Sequence, residues 1–278
     1  MAQSLAASSD LETCRRCFRR AMLGWVLRAP FGIGLGTLRA CARIAAGRRR
    51  TGVNSAGNGA AMRAAILGAV FPDDAGTRLA YGRAMAELTH RDPRAIEGAL
   101  FVAELAAGCS RADPRADRLA LVEASLDVVQ QPELAAALRH ARDLAAAGAS
   151  TAEAAGALGS SGYVVHSVPL ATFCFACFGD DARSALIETI TAGGDTDTNA
   201  AIVGALVGAL HGPQALPRDL LRRIVGGPFG PAHLRRLALA LGNPETRDVP
   251  GYSVAGALLR NLALYPVVLL HALRRLLP

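Results

Sequence analysis

Lysine is absent from the 278 residues, and aromatic side chains make up only 5% of them, with a single Trp. Every basic charge is therefore an arginine, and the excess over acidic residues leaves a net charge of +7. An excess of this kind raises the question of nucleic acid. The arginines are scattered through most of the chain, however, and only Arg48-Arg49-Arg50 forms a run, with no aromatic interleaved. Solvated helix faces explain them better than a DNA- or RNA-binding stripe, and a weak attraction for phosphate-bearing ligands is the most the charge implies. The scarcity of aromatics leaves Ala and Leu to fill the core. Alternating β-branched runs are also scarce, whereas Ala and Leu are the strongest helix formers, so the pattern excludes a sheet protein and predicts an all-α fold. The chain is long enough to bury a sizeable core. No fixed repeat, low-complexity block or long linker divides it, which predicts a single domain over residues 1–278.

A clean membrane-spanning run is missing too. Residues 156–179 lack Asp, Glu, Arg and Lys but hold His166, Pro169 and several hydroxyls. Residues 198–217 carry Gly204 and Gly208 at a spacing that, in a soluble bundle, lets two helices approach closely. The apolar stretch 261–272 is too short to cross a bilayer and has Arg260 and Arg274-Arg275 nearby. A buried helix is expected in each case, and no membrane span. No secretory leader pattern is evident, so the expected compartment is the reducing cytoplasm. The six cysteines include two Cys-x-x-Cys pairs, Cys14/Cys17 and Cys174/Cys177. That is zinc or redox spacing, but both pairs fall within helical patterns without glycine knuckles, where small side chains facing a core are the simpler account.

In order, helices are expected at 11–27, 38–46, 58–70, 94–107, 114–129 and 132–147, with a glycine-dense connector at 31–37. Asp92-Pro93 and Asp113-Pro114 each read as a cap followed by Pro in the first turn, and Ser150–Glu153 reads as a capping box opening a short helix. Further helices are expected at 162–178, 181–192, 217–225, 232–241 and from about 254 to 276, the last with Pro266 inside it.

The most informative stretch is Gly193-Gly194-Asp195-Thr196-Asp197-Thr198-Asn199. The glycines allow a positive-φ turn, and Asp195 is placed to cap the apolar helix that follows. Asp195, Thr198 and Asn199 then share a helix face, with Asp197 beside them. Two carboxylates, a hydroxyl and an amide oxygen are hard ligands, suited to Mg²⁺, Mn²⁺ or Ca²⁺. An ordinary helix cap explains one such residue, and a second Asp would still favour the helix dipole, so spacing alone leaves both readings open.

These residues resemble the metal motif of the ADP-ribosylglycohydrolase family, which includes the dinitrogenase-reductase-activating glycohydrolase and the ADP-ribosyl-acceptor hydrolases. Further segments agree in family order: residues 55–63 around Gly57-Asn58-Gly59, Thr89-His90-Arg91-Asp92-Pro93, and residues 161–166 beginning Ser161-Gly162-Tyr163. Pro30–Thr37 resembles an element of a bacterial subgroup. The resemblance implies a single-domain orthogonal helical bundle and hydrolysis of the glycosidic bond between ADP-ribose and an acceptor: a protein Arg or Ser, or a small leaving group. It implies a two-cation Mg²⁺ or Mn²⁺ site to which Asp195, Asp197 and Thr198 contribute. Gly57, Asn58, Gly59, His90, Gly162, Tyr163, Gly193, Gly194 and Asn199 are the implied contacts to ADP-ribose or an ADP-ribosylated protein.

Read as residues alone, several of these have ordinary alternatives. Gly57-Asn58-Gly59 presents N–H groups to a phosphate at a helix start, or is a simple Asn-Gly turn. His90 contacts a phosphate or ribose, or only its neighbours. Tyr163 stacks on ribose or purine, or is a half-buried helix residue. Arg63 is equally an ion-pair partner.

One family element is missing. The other half of the implied ligand set is a Ser/Thr-Asp-Asp-Thr motif near the N-terminus, preceded by Gly-Asp-Ala-x-Gly, and neither occurs here. Ser9-Asp10 runs into Leu11, while Asp73-Asp74 and Asp180-Asp181 stand in the wrong places. Residues 1–7 look like the end of the helix that would carry the motif. The expectation is an N-terminally incomplete domain: a hydrolase in a longer form, or a non-catalytic relative that at most binds ADP-ribose.

Overall fold

The computed structural model describes residues 1–224, 227–243 and 249–276. Helices dominate it, and no strand occurs among the described residues; the nearest approach to a sheet is two isolated bridges, Val53 with His90 and Gly57 with Tyr163. In chain order the α-helices are α1 (Ala2–Ala7), α2 (Leu11–Leu27), α3 (Leu35–Ala45), α4 (Ala65–Val70), α5 (Ala75–Glu87), α6 (Pro93–Arg111), α7 (Arg118–Ala124) and α8 (Pro132–Ala146). They continue as α9 (Thr151–Leu158), α10 (Val164–Phe178), α11 (Ala182–Thr191), α12 (Thr196–His211), α13 (Arg218–Arg223), α14 (Pro231–Gly242) and α15 (Val254–Leu276). The all-α expectation is met. The chain divides into two compact units, Arg50–Arg218 and a second formed by Met1–Arg49 with Asp219–Pro278.

In the unit Arg50–Arg218, α6 and α10 form the centre, and both are apolar nearly all round, as buried helices must be. Small residues set how closely neighbours pack. At Gly68 in α4, a Cβ would lie 2.4 Å from the Ala103 carbonyl oxygen of α6, so only glycine permits that contact. The close approach expected at Gly204 and Gly208 is not seen: a Cβ on Gly204 would make an ordinary 3.5 Å contact with the Leu186 side chain, and one on Gly208 would meet nothing within 4 Å. The buried cation Arg78, 1% exposed, is matched by Glu104 at 2.7 Å and by the Phe71 and Pro72 carbonyls. The Ser150 capping box forms as predicted. Both Cys-x-x-Cys pairs lie inside helices, and burial pushes the Cys14 and Cys174 thiols up to about 11.

In the unit of Met1–Arg49 and Asp219–Pro278, Ala6, Leu237 and Ala240 form a small cluster that ties α1 to α14. Arg28 lies against the rings of Phe229 and Tyr252, and its carbonyl accepts a 2.7 Å bond from the Asn261 side chain of α15.

Several boundaries differ from expectation, each with a local cause. The connector read at 31–37 gives way to helix by Leu35. Residues 58–70 are not one helix: Asn58 is held by hydrogen bonds to Gly162 and Asp195, so the chain makes a 3₁₀ turn before α4 begins. The helix expected from Pro114 starts only at Arg118, because Asp117 takes the capping role by accepting from the Leu119 N–H, while Asp113 closes a turn. Helix α5 was not anticipated from sequence; Asp74 caps it by accepting from the Thr77 N–H. The C-terminal stretch is also corrected. It is one helix of 23 residues, long and apolar enough to cross a membrane by length and composition, and only 6% of its apolar window is buried. The buried helix expected there is not found.

Candidate active site

All the candidate site residues belong to the unit Arg50–Arg218. Three loops meet at its centre. The segment before α4 runs beside the segment before α10: the Asn58 N–H donates to the Gly162 carbonyl at 3.0 Å, and the Val164 N–H to the Ala56 carbonyl at 2.8 Å. The turn before α12 joins them, since the Asp195 N–H donates to the Ser160 carbonyl at 2.8 Å. Gly193 and Gly194 adopt φ of +76° and +72°, as the sequence predicted. A Cβ on Gly194 would stand 2.1 Å from the Ser160 oxygen, so this position demands glycine on two counts.

Asp195 occupies the N-cap position of α12, yet its side chain makes no capping bond. Its carboxylate instead accepts a 2.7 Å hydrogen bond from the Asn58 amide, 137 positions earlier in the chain. The same oxygen would lie 3.1 Å from a Cβ on Gly162, so the glycine leaves that face of the carboxylate open. The carboxyl groups of Asp195 and Asp197 interact, each shifting the other's titration. Burial works to raise Asp195, but bonds with Asn58, Asp197 and Thr198 outweigh it and hold its carboxyl below the usual range. Asp197 is raised, first by its interaction with Asp195 and then by desolvation. Interacting acids of this kind favour a proton or a cation that offsets their like charge. Thr198 is buried beside them, and Asn199 is fully enclosed with neither amide atom hydrogen-bonded. The implied metal fits this chemistry in part. The donors are hard oxygens and the pair lacks a counter-charge, but no group of three or more His, Cys, Asp or Glu gathers among the described residues.

Tyr163 stands at the start of α10, paired with Gly57 across an isolated bridge. Its hydroxyl donates to Glu133 at 2.7 Å and accepts from Arg94 at 2.6 Å. Arg94 in turn binds Glu133 and, through two nitrogens, Asp92. Desolvation and then the Glu133 bond raise the Tyr163 phenol, while the Arg94 bond lowers Asp92 and the Tyr163 bond lowers Glu133. The ring is thus fixed by its hydroxyl, with the Arg94 guanidinium 5.5 Å from its centroid and His166 edge-on at 5.0 Å.

His90 is 2% exposed and bonds through Nδ1 to the Thr89 hydroxyl. Burial, helped by Arg63, pushes its imidazole down to about 4. Its Nε2 edge lies 3.4 Å from where a Cβ of Gly57 would be. Arg63 binds the Thr89 hydroxyl at 2.6 Å and the Gly59 carbonyl, so it braces this loop. No α-helix starts at Gly57-Asn58-Gly59: the Asn58 N–H donates to the Gly162 carbonyl, and the segment leads into the 3₁₀ turn before α4.

Gly57, Asn58, Gly162, Tyr163 and Asp195 are neighbours in the structure. Sequence reasoning missed Glu133, Arg94 and Ser160 as partners. Arg94 follows the Asp92-Pro93 cap and Glu133 follows Pro132, and each reads there as an ordinary first-turn residue. Nothing local signals that they converge on Tyr163.

The comparisons with known proteins bear on family and fold. The family model described as ADP-ribosylglycohydrolase matches residues 1–249. An uncharacterised protein of Archaeoglobus fulgidus is 34% identical over 162 residues, covering 58% of this chain and 51% of that protein. The chain therefore matches about half the length of that curated relative. A solved structure titled "ADP-ribosylglycohydrolase-related protein complex" superposes with a TM-score of 0.65 at 27% identity, over 86% of this chain and 76% of that one. Matched along most of its length by the family model, and sharing the fold of a related solved structure, the chain belongs to the ADP-ribosylglycohydrolase family.

Proposed function

We propose that the chain is a metal-dependent hydrolase of the glycosidic bond between ADP-ribose and an acceptor, either a protein Arg or Ser or a small molecule. The observation that carries this reading is the Asp195–Asp197 pair, held open by Gly162 and oriented by Asn58 from a distant segment. A mere helix cap needs neither the second acid nor the long-range amide. Asp195, Asp197 and Thr198 would hold Mg²⁺ or Mn²⁺. When bound, that cation supplies charge to bind ribose hydroxyls and to acidify a water. Asn58 fixes which Asp195 oxygen faces the site. Tyr163, pinned by Glu133 and Arg94, offers a rigid ring for stacking on ribose or purine at little entropic cost. In the net reaction the bond from the anomeric carbon to the acceptor N or O breaks, hydroxide from water joins the carbon, and the water's remaining proton goes to the acceptor.

The test is release of ADP-ribose from ADP-ribosylated Arg and Ser substrates with and without Mg²⁺ or Mn²⁺. Asp197→Asn keeps the shape but removes a charge, and it should lower the metal-dependent rate by about 100-fold or more, the scale of losing one electrostatic stabiliser of a transition state. Equal rates for the variant and the parent protein would remove the pair from the chemistry.

A second reading has its own observation. Only two carboxylates stand at the site, and no third His, Cys, Asp or Glu joins them among the described residues. On that reading the chain binds ADP-ribose without cleaving it. Calorimetry with ADP-ribose then shows binding while every substrate stays intact.

A further inference from the structure

The two units differ sharply in charge. Met1–Arg49 with Asp219–Pro278 holds 17 arginines against five acidic residues, a net +12, whereas Arg50–Arg218 is net −5. The overall +7 conceals this division. The basic unit is also where apolar surface is exposed. Of 19 large hydrophobic side chains exposed among the described residues, 16 belong to it.

Half of those 16 side chains lie on α15. The helix is about 34 Å long at 1.5 Å per residue. It contains no acidic residue, and Leu259, Leu262, Val267, Leu269, Leu270 and Leu273 stand 49–67% exposed on it. Its inner side is anchored by Asn261, which bonds to the Arg28 carbonyl, and by Tyr265, whose ring meets Phe31 edge-on at 5.2 Å. Phe31 is itself half exposed and extends the apolar face beyond the helix, as does Leu27. A cavity of about 230 Å³ in the same unit is lined by Arg16, Arg19, Arg20, Leu23 and Ile44, three guanidinium groups with no acid among them.

From these observations we propose that the basic unit docks on an anionic lipid bilayer, with α15 lying in the headgroup region and the Arg16–Arg19–Arg20 cavity receiving a lipid headgroup phosphate. Apolar residues without acidic neighbours, set in a strongly basic body, match a surface that is apolar beneath and negative above. A second copy of the chain is a poorer occupant, since joining this face to itself would press two +12 bodies together. The helix lies flat rather than spanning. Crossing would strip Asn261 from Arg28 and Tyr265 from Phe31, and would carry Arg260 and Asn261 into hydrocarbon.

The experiment is co-sedimentation of the full chain with vesicles of phosphatidylcholine mixed with phosphatidylglycerol, and with vesicles of phosphatidylcholine alone. Binding is expected on the mixed vesicles, at least about tenfold weaker on the neutral ones, and weakened by added salt. Leu269→Asp with Leu270→Asp changes two exposed positions and should abolish it. Arg16→Gln with Arg20→Gln, also exposed, should weaken it roughly 30-fold, at about fivefold per basic residue near an anionic surface. Helix content by circular dichroism must match the parent protein for each variant, and either pair suffices if the other misfolds. Three results would overturn the proposal: equal binding to both vesicle types, binding indifferent to both variants, or a vesicle-free dimer in light scattering that the leucine variant dissolves.

Discussion

His90 shows how a residue's surroundings become a measurable property. Its neutral imidazole is enclosed with the Thr89 hydroxyl on one nitrogen, and burial followed by the Arg63 charge takes its pKa from 6.5 to about 4. The unfolded chain therefore takes up this proton first as pH falls. The stability associated with His90 is complete above pH 6.5 and is lost as the pH drops toward 4, on the order of 3 kcal/mol in all. Urea midpoints measured across that range should fall more steeply for the parent protein than for His90→Gln. Parallel slopes would show that the imidazole is not held neutral. The motif Thr89–Pro93 marked His90 in the sequence, but not the reason it matters physically, because its enclosure comes from Gly57, some thirty residues away. The same holds for Asp195. Its position and the turn before it were legible in the glycines, whereas its bond to Asn58 depends on two loops meeting, and no local pattern encodes that.

Elements were legible where caps and periodicity agreed, and illegible where a competing cap stood nearby. The bounds of α2 were anticipated to the residue, and the Ser150 box opened α9 as read. Between Asp113 and Asp117 the chain had two capping candidates, and only packing decides between them. Helix α5 escaped notice because its apolar and charged residues alternate without a clear face; its Arg78 is buried and its Gly82 lies against Leu100. Arg78 is what joins α5 to α6, through both nitrogens of its fork to Glu104. Arg78→Met would leave Glu104 without its cation and the Phe71 and Pro72 carbonyls without a donor. A cost of about 3 kcal/mol is expected, the lower end for breaking a buried pair because Glu104 keeps some exposure. Denaturant unfolding of Arg78→Met and of Arg78→Met with Glu104→Met tests it. The double variant should recover most of the loss, as apolar replacement of both partners often does. A double variant no better than the single one would mean that the carbonyl contacts, not the ion pair, hold the joint.

At the scale of the molecule, composition foretold the helical class. The division into units was not foretold, since no linker or change of residue type marks Arg49 or Arg218. It becomes visible only when charge is counted separately on each side. Every residue of the candidate site, from Gly57 to Asn199, lies within Arg50–Arg218, and so do α6 and α10, the helices at the centre of that unit. A unit with its own core and all the candidate site residues named above should fold and bind by itself. A chain limited to residues 50–218 is expected to keep its helix content and to bind ADP-ribose within about threefold of the full chain, the range in which distant parts of a protein act independently. Calorimetry on the two chains makes the comparison. A shortened chain that is helical but no longer binds would mean that the basic unit contributes contacts to the ligand. The same chain should lose all affinity for anionic vesicles, because its net charge is −5 and α15 is gone. Ligand binding retained and vesicle binding lost, in one protein, would separate the two functions by unit.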